Sequence, residues 1–359
     1  MAKKRTISLL TLIVTVLAII ILGAFKNGFF ESKLFLGDIK KLEIDKELIP
    51  ISNNSVIYNG SDIMVEGENS NIRAKNMEGT ILWSMRLEGT ISNIIECGND
   101  IVVIIDNKGM AAISRAGELL WQYELVVPAS DIFCSDKGLI LIQYKDENSN
   151  YFDIFNLKGV KLCHGYISNA QVVSFDGFSN KYFTLSLMDI STNRIVTKLA
   201  TYNNKGEIIW AQDFVDILIP VLKYNEKGEL VTICDNSIMK YRGDGRLINE
   251  IKVNNPLGKV AINDELVVIM EKNQGYFDIN VFDFNLKEIG TAAIKSNIEG
   301  IFAGKKDFLV YDKNTVTLFS RQGNIKAFYE SNIDINRAYI GDDSQVYIVS
   351  NRKLQKLRY

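Results

Sequence analysis

The sequence predicts an all-β protein, a β-propeller of four-stranded blades, preceded by one N-terminal transmembrane helix. Three observations lead to this prediction. The phrase Gly, any residue, two aliphatic residues and Trp occurs at Gly79–Trp83, Gly117–Trp121 and Gly206–Trp210, and it contains all three tryptophans of the chain. Weaker copies continue at a period of about 40 residues, which is the period of a propeller blade. One long uncharged apolar segment lies near the N-terminus, at residues 7–25.

The apolar segment at residues 7–25 has the length of a membrane span. As a helix it is about 28 Å long, close to the hydrocarbon thickness of a bilayer. Residues 3–5 are Lys, Lys and Arg, and positive flanks stay in the cytoplasm. A cleaved signal peptide is the alternative, but its apolar core is shorter, about 7–15 residues, and residues 23–26 fit a cleavage site poorly. We therefore predict an uncleaved anchor with the N-terminus inside the cell.

This anchor divides the chain into four parts. The predicted parts are a cytoplasmic tail at 1–6, the anchor at 7–25, a stalk at 26–39 and an extracytoplasmic propeller at 40–359.

One unit shows the four strands of a blade clearly. The predicted strands are Ile91–Glu96, Ile101–Ile105, Met110–Ser114 and Gly117–Glu124. The second is almost wholly apolar, as expected for a strand buried between blades. The turn 106–109 (Asp, Asn, Lys, Gly) has the residues that tight hairpins need. A calcium loop is the alternative, but its ligand spacing is absent.

The copies of the phrase set the number of blades. The repeated positions are Gly79, Trp83, Gly117, Trp121, Gly159, Gly206, Trp210, Gly245 and Gly323, with Lys287 at a copy that lacks the Gly. Residues 40–359 hold eight units of about 40 residues. The last unit, Arg337–Tyr359, has room for three strands, and Lys40–Ile44 can supply the fourth through Leu42 and Ile44, which closes the ring. Seven blades is the alternative, if the divergent unit 168–216 contains an extra-long hairpin.

The phrase Gly79–Trp83 and its copies resemble the blade ends of pyrroloquinoline-quinone-type propellers. Together with the basic N-terminus and the single anchor, the chain resembles an uncharacterised family of membrane-anchored propellers of low-GC Gram-positive bacteria. Enzymes of the quinone family hold the cofactor against two adjacent cysteines, and no two of the four cysteines here are neighbours. The fuller docking motif of those enzymes is also missing. The resemblance therefore implies the non-catalytic branch, which scaffolds envelope assembly or binds partners, with no cofactor.

Composition argues against several functions. The formal charge is -2, and residues 1–26 carry four basic and no acidic residues, which leaves the rest at -6. Such a composition does not indicate a basic patch that would bind nucleic acid. No metal spacing occurs among the cysteines. Cys97 and Cys134 fall at similar points of adjacent units, so a bridge is conceivable, although unpaired buried cysteines are favoured.

Catalytic motifs are absent from the sequence. It contains no metalloprotease helix motif, nucleophile elbow or P-loop. Any catalytic triad or metal site would depend on the single histidine, His164, for which a structural or surface role is favoured. We predict that the protein is not an enzyme.

Uneven hairpins give the one clue to a binding site. The connections between second and third strands are predicted to be extended at Lys145–Tyr151, Asp189–Arg194 and Glu271–Tyr276. Such loops share a face with the connections between blades, and loops often carry function. The candidate binding rim is Asn148, Tyr151, Asn193, Arg194, Asn273 and Tyr276, and tolerated surface insertions are the alternative.

These observations favour a membrane-anchored binding or scaffold module of the cell envelope, whose partner is another envelope protein or a glycan. One alternative is a quinone- or calcium-dependent enzyme such as a dehydrogenase. The other is a sensor ectodomain that works with a membrane partner, because residues 1–6 are too short for an output domain.

Overall fold

The computed structural model describes residues 39–50, 54–57, 63–76, 78–145, 150–179, 181–189, 191, 193–295, 297–341 and 344–358. The chain divides into two units, Met1–Lys41 and Leu42–Tyr359. The predicted tail and anchor, and all of the predicted stalk except residue 39, lie outside the described residues. Within the described part of the chain, no helix is long and apolar enough to cross a membrane.

The described regular structure is entirely β. The first unit contributes the two-residue strand β1, Lys40–Lys41, and the second contributes the rest. Up to the fourth blade the strands are β2 Glu43–Pro50, β3 Asn54–Ile57, β4 Ile63–Glu68, β5 Asn71–Asn76, β6 Ile81–Arg86, β7 Ile91–Cys97, β8 Asp100–Ile105, β9 Gly109–Ile113, β10 Leu119–Glu124, β11 Ala129–Cys134, β12 Leu139–Lys145, β13 Asn150–Asn156, β14 Lys161–Ile167, β15 Ala170–Phe178, β16 Tyr182–Asp189, β17 Val196–Asn203 and β18 Ile208–Val215.

The remaining blades follow the same pattern. Their strands are β19 Val221–Tyr224, β20 Leu230–Cys234, β21 Ser237–Tyr241, β22 Leu247–Lys252, β23 Leu257–Ile262, β24 Leu266–Asn273, β25 Tyr276–Asp283, β26 Glu288–Ile294, β27 Gly300–Ala303, β28 Asp307–Tyr311, β29 Thr315–Ser320, β30 Ile325–Glu330, β31 Ile335–Ile340, β32 Val346–Ser350 and β33 Lys353–Arg358.

Leu42–Tyr359 forms an eight-bladed propeller, which confirms the predicted all-β propeller of four-stranded blades and excludes seven blades. Blades 1 to 7 each contain four consecutive antiparallel strands, from β3–β6 to β27–β30. Blade 8 is ordered β31, β32, β33, β2. First strands of neighbouring blades contact each other, for example β15 and β19. The first strand of each blade is therefore the one nearest the axis.

The ring closes because the N-terminal strand β2 pairs antiparallel with the last strand, β33. Glu43 lies opposite Arg358, and Pro50 lies opposite Lys353. This strand differs in extent from the predicted Lys40–Ile44. It starts after Leu42, whose N–H donates to the carbonyl oxygen of Phe328 at 2.8 Å and whose side chain is buried between blades 7 and 8. Ile44 is 40% exposed, because an outermost strand has few neighbours.

The hydrophobic core is divided among the interfaces between blades. The apolar strand β8 places five of its six residues, Ile101–Ile105, in buried positions. Side chains alternate across a strand, so Val103 packs towards blade 1 and Val102 towards blade 3. The cluster of Met64 with Tyr339, Tyr347 and Leu354 joins blade 1 to blade 8. Apolar packing thus extends across the closure as well.

At the outer edge, each tryptophan of the repeated phrase packs against the glycine of the next copy. Trp83 Nε1 donates to the carbonyl oxygen of Arg115 at 3.0 Å. A Cβ at Gly117 would lie 2.5 Å from Trp83 Cγ. Trp121 and Gly159 repeat this arrangement one blade later, with the indole N–H 2.8 Å from the Leu157 carbonyl oxygen. Glycine is needed because its φ is positive, 86° at Gly117, and because a side chain would overlap the indole.

Trp210 and Gly245 form the third such contact. The interfaces between blades 3 and 4 and between blades 5 and 6 have other side chains at the tryptophan position. Cys163 stands in the tryptophan position opposite Gly206. Asn249 replaces the indole donor, and its Nδ2 donates to the carbonyl oxygen of Asn285 at 3.2 Å. The tryptophan is therefore absent from blade 3 and from blade 5 onwards, while blades 3 and 4, and blades 5 and 6, still contact each other at this position.

Candidate binding cavity on the axis

The antiparallel strands divide the connections between two faces of the ring. The turns between first and second strands and between third and fourth strands lie on one face, which we call the cavity face. The second-to-third hairpins and the blade-to-blade connections lie on the other, the connection face. A cavity of about 990 Å³ lies on the cavity face, where the first-to-second turns of six blades converge.

Polar side chains dominate the cavity wall. The main contributions come from blades 2, 3, 5, 6, 7 and 8, in that order: Glu96 and Asn99; Asp136; Glu226 and Lys227; Asp264 and Glu265; Lys305, Lys306 and Asp307; Gly341 and Ser344. Phe284, Phe302 and Ile340 give one side of the wall an apolar area. The cavity therefore offers many hydrogen-bonding groups and one apolar patch.

Asparagine side chains hold the turns of the wall in place. Asn263 Oδ1 accepts hydrogen bonds from the N–H groups of Glu265 and Leu266, both at 2.8 Å. Its Nδ2 donates to the carbonyl oxygens of Ala303 and Gly304 in the next blade, at 3.1 and 3.0 Å. Short Asx turns of this kind fix a backbone locally. The side chains of blades 6 and 7 are thereby presented from one rigid wall.

Ion pairs near the axis connect blades that are not neighbours. Lys223 of blade 5 pairs with Asp136 of blade 3. Lys137 Nζ of blade 3 lies 3.3 Å from Asp264 Oδ2 of blade 6. The other oxygen of Asp264, Oδ1, is buried and has no hydrogen-bond partner among the described residues. A buried carboxylate oxygen without a partner lowers the stability of the fold.

The buried carboxyl of Asp176 lies next to this network. Burial raises its pKa to about 6, although the Lys223 ammonium acts in the opposite direction. Its Oδ2 accepts a hydrogen bond from the N–H of Tyr224 at 2.7 Å. Burial alone would lower the pKa of Lys223, but Asp136 and Asp176 outweigh it and the pKa is raised. The lysine is therefore held in its charged form.

The cavity is close to electrically neutral. Six carboxylates and three lysines line it. Three of the carboxylates form ion pairs with lysines outside the lining: Asp136 with Lys223, Asp264 with Lys137, and Asp307 with Lys326. The formal charges of the other three carboxylates and of the three lysines in the lining cancel. Such a mosaic suits a ligand that carries both signs of charge or many hydrogen-bonding groups.

His164 belongs to a polar cluster of blade 3, away from the cavity. Asp153 Oδ1 lies 2.7 Å from His164 Nδ1 and 2.7 Å from Lys161 Nζ. Tyr144 donates to Asp153 Oδ2 at 3.2 Å, and Tyr151 stacks on Tyr144. The carboxylate of Asp153 thus has three partners, which indicates that the cluster is a structural network. Among the described residues, no group of three His, Cys, Asp or Glu is placed to hold a metal ion.

The predicted rim lies on the connection face, opposite the cavity. Asn148 is outside the described residues, and Tyr151 is half-buried in the cluster of blade 3. Asn193 and Arg194 are exposed, and Arg194 pairs with Asp216 of its own blade. Asn273 Nδ2 donates to the hydroxyl of Tyr276 at 2.8 Å and to Asp278 Oδ2 at 2.9 Å. The structure places these residues in three separate blades, and the rim stays a prediction.

One of the three predicted loops is corrected by the structure. At Glu271–Tyr276 there is no extended loop, because β24 continues to Asn273 and β25 begins at Tyr276, which leaves a two-residue turn. Gly275 has a positive φ of 79° there, which allows so tight a turn. Blade 6 thus has longer strands and not a longer loop.

The sequence indicated a site on the connection face and did not indicate the cavity residues. Their signal in the sequence is a pair of adjacent charged residues within the first-to-second turn of a blade, as at Asp136–Lys137, Glu226–Lys227, Asp264–Glu265 and Lys305–Lys306. Surface turns commonly carry charges, so this signal acquires meaning only once the ring brings the turns together.

Three solved propellers resemble the structure. BamB from Moraxella catarrhalis matches with a TM-score of 0.55 and 10% identity over 89% of this chain and 98% of the other. Sqt1 from Saccharomyces cerevisiae matches with a TM-score of 0.59 and 8% identity over 89% of this chain and 98% of the other. The Dos1 propeller matches with a TM-score of 0.57 and 12% identity over 89% of this chain and 94% of the other. At these identities the likeness shows the fold alone. The search of curated proteins found no match. A family model matches residues 40–358, and the chain accordingly belongs to DUF5711, a family of unknown function.

Proposed function

We propose that the protein is a membrane-anchored, extracytoplasmic propeller that acts as a non-catalytic binding module, and that its axial cavity receives a polar segment of another envelope protein. The observation that carries this proposal is the cavity of about 990 Å³ with its polar wall. Small-molecule sites of about 300–1,000 Å³ are mostly apolar. Interfaces between proteins are wetter and more polar. A wall of polar and charged side chains therefore suits a protein segment better than a small apolar ligand.

The wall also supports a binding role over a quinone-dependent one. The contact between tryptophan and glycine supports kinship with the quinone-type propellers. However, the described aromatic side chains of the cavity are Phe284 and Phe302, on one side only. A planar quinone needs flat groups on both of its faces. The charged turns of blades 5, 6 and 7 suit an irregular, hydrogen-bonding partner.

The apolar segment at residues 7–25 and the basic residues 3–5 support the placement in the membrane. This part of the proposal can be tested with the full chain in wall-stripped cells, carrying a tag at the N-terminus. Protease added outside is expected to digest the propeller while the tag stays protected. A soluble secreted form that begins near Lys26 would show that the segment is a cleaved signal peptide.

Site-specific photo-crosslinking tests the binding site. A photo-reactive residue replaces Lys306 on the cavity face or, as the matched control, Asn193 on the connection face, in the full chain in its native cells. We expect one discrete protein adduct from position 306 and none from position 193. The adduct should disappear when Glu226→Lys and Glu265→Lys reverse the charge of two cavity carboxylates in the adjoining blades 5 and 6 without changing the melting temperature.

Other outcomes would contradict the proposal. Equal adducts from both positions would mean that contacts are non-specific. An adduct from position 193 alone would place the site at the predicted rim. Stoichiometric uptake of the quinone by the purified full chain, followed by dye-linked oxidation, would favour the enzymatic alternative.

A further inference from the structure

Two of the four cysteines occupy equivalent positions in adjacent blades. Cys97 is the last residue of β7, the first strand of blade 2, and Cys134 is the last residue of β11, the first strand of blade 3. The two strands contact each other near the axis. The fold therefore places two thiols side by side, each at the start of a turn of the cavity face.

The contacts around these thiols are close. Cys97 Sγ lies 3.9 Å from the carbonyl oxygen of Ser135, the residue that follows Cys134, and 3.7 Å from that of Leu139. The Cys134 thiol hydrogen-bonds to Cys97. A Cβ built on Gly98 would lie 3.3 Å from the backbone nitrogen of Gly138. The two turns thus touch each other at backbone level, and a short link between the side chains does not require the blades to move far.

The other two cysteines have different surroundings. Cys163 packs against Gly206 at the outer edge between blades 3 and 4. Cys234 lies between blades 4 and 5, where its thiol donates to the carbonyl oxygen of Ser237 at 3.2 Å. Both belong to clusters that contain neither Cys97 nor Cys134. They serve as internal controls.

We propose that Cys97 and Cys134 are a site of disulfide formation, at which a bond between the two sulfurs joins blade 2 covalently to blade 3 behind the wall of the cavity. The oxidant is a low-molecular-weight disulfide or a thiol–disulfide oxidoreductase. One cysteine thiolate attacks a sulfur of the oxidant and expels the first thiolate of the oxidant. The second cysteine thiolate attacks the mixed disulfide, forms the Cys97–Cys134 bond and releases the second thiolate of the oxidant. Two protons leave the cysteines, and the oxidant gains two electrons.

Burial determines when this reaction occurs. Cys97 is fully buried, and burial raises the pKa of the Cys134 thiol, with the Cys97 hydrogen bond adding to the effect. Because the thiolate is the reacting species, the folded, reduced protein reacts slowly. The bond therefore forms while blades 2 and 3 are still assembling. Once formed, the bond is shielded from reductants on the side of Cys97, which is fully buried.

The bond acts on the cavity through adjacent residues. Glu96 and Gly98 flank Cys97, Asp136 lies two residues after Cys134, and all three line the cavity. The bond fixes the relative position of the two turns. It also restricts the unfolded chain across one blade, which stabilises the folded state.

Refolding of the full chain tests the proposal. Detergent-solubilised protein is unfolded in urea with reductant, then refolded in a buffer of oxidised and reduced glutathione, and free thiols are alkylated and counted by mass spectrometry. We expect two free thiols in the wild type, at Cys163 and Cys234, and one peptide pair linked through Cys97 and Cys134. The oxidised form should melt at a higher temperature than the reduced form.

Single variants separate this pair from the alternatives. Cys97→Ser and Cys134→Ser should each leave three free thiols. The matched control Cys163→Ser should leave one free thiol and keep the linked peptides. Four free thiols in the refolded wild type, or a link through Cys163 or Cys234, would overturn the proposal. If the wild type does not refold, the same count is made on protein alkylated at the moment of lysis, and four alkylated cysteines there overturn it equally.

Discussion

The outer edge and the axis of the ring join the blades in different ways. At the outer edge each blade contacts its immediate neighbour, as Trp121 of blade 2 contacts Gly159 of blade 3. At the axis, ion pairs connect blades 3 and 5 and blades 3 and 6. Contacts between neighbours recur once per blade and appear in the sequence as a period. Contacts that pass over a blade have no period, so they become visible only in the folded ring.

The outer edge itself varies between tight backbone contact and side-chain contact. Between blades 6 and 7 no indole is present, and the two backbones touch. A Cβ at Gly323 would lie 2.0 Å from the carbonyl oxygen of Thr291, and one at Gly290 would lie 2.4 Å from the backbone of Gln322. Substitutions at the two kinds of contact therefore measure how much each stabilises the ring.

The largest loss of stability is expected for Gly323→Ala. The position has a φ of 86°, and the new Cβ overlaps the backbone of the next blade. Left-handed strain and overpacking together should lower the free energy of unfolding by about 3 kcal/mol or more. Gly275→Ala is the matched control, with a φ of 79° and open space around the Cβ, and should cost about 1 kcal/mol. Urea titration followed by circular dichroism gives both values, and equal losses would contradict the backbone contact.

A smaller loss is expected for Trp121→Ala. The half-buried indole fills the space beside Gly159 and donates to Leu157, so its removal should cost about 2–3 kcal/mol, below the range for fully buried tryptophan. Trp121→Phe should retain most of the packing and lose about 1 kcal/mol with the hydrogen bond. The neighbouring Leu120 is 42% exposed, and Leu120→Ala should change stability by at most about 0.5 kcal/mol. If Leu120→Ala lowered the free energy of unfolding as much as Trp121→Ala, the loss would come from truncating any side chain of this strand and not from the contact of Trp121 with Gly159.

At the axis, Asp176→Asn should remove a dependence of stability on pH. The folded pKa of Asp176 is about 6, above its ordinary value of 3.8, so the folded state retains the proton where the unfolded state has released it. The free energy of unfolding of the wild type therefore falls as pH rises from about 4 to about 6, by about 3 kcal/mol in all, and this contribution is constant above that range. The asparagine still accepts from the N–H of Tyr224 but does not titrate. The urea midpoints of the wild type and of Asp176→Asn, measured across this range, should converge at low pH. Midpoints that differ by the same amount at every pH would contradict the burial of a titrating carboxyl.

The smallest effect is expected from the ion pair between Lys137 and Asp264. Both side chains are partly exposed, at 27% and 36%, so their coupling should be below about 1 kcal/mol. A double-mutant cycle with Lys137→Met and Asp264→Asn measures it, and the exposed pair of Arg194 and Asp216 provides the comparison cycle. A coupling of several kcal/mol would show that the axis contributes to stability as strongly as the outer edge.

The sequence predicted the outer edge of the ring better than its axis. Trp83, Trp121 and Trp210 revealed the repeat. The four strands of blade 2 were predicted to within two residues, because the buried part of a strand such as β8, Ile101–Ile105, is wholly apolar. The hairpin of blade 6 was misjudged, since its polar residues at 271–276 continue the strands and do not form a loop. The cavity could not be predicted, because Asp136 and Lys223 are far apart in the chain and neither belongs to a recurring phrase.

The pairing of β2 with β33 determines how the propeller responds to a pulling force. Glu43 lies opposite Arg358, so the two ends of the domain leave from adjacent points of the same blade. Tension applied between these ends pulls the two strands apart one residue pair at a time, starting at Glu43 and Arg358, and each step meets only one or two hydrogen bonds. Tension between Glu43 and the far face acts along β2 and loads the whole ladder at once. The closure is thus mechanically weak in one direction and strong in the other, and blade 8 is the part of the ring that yields first when the ends are drawn apart.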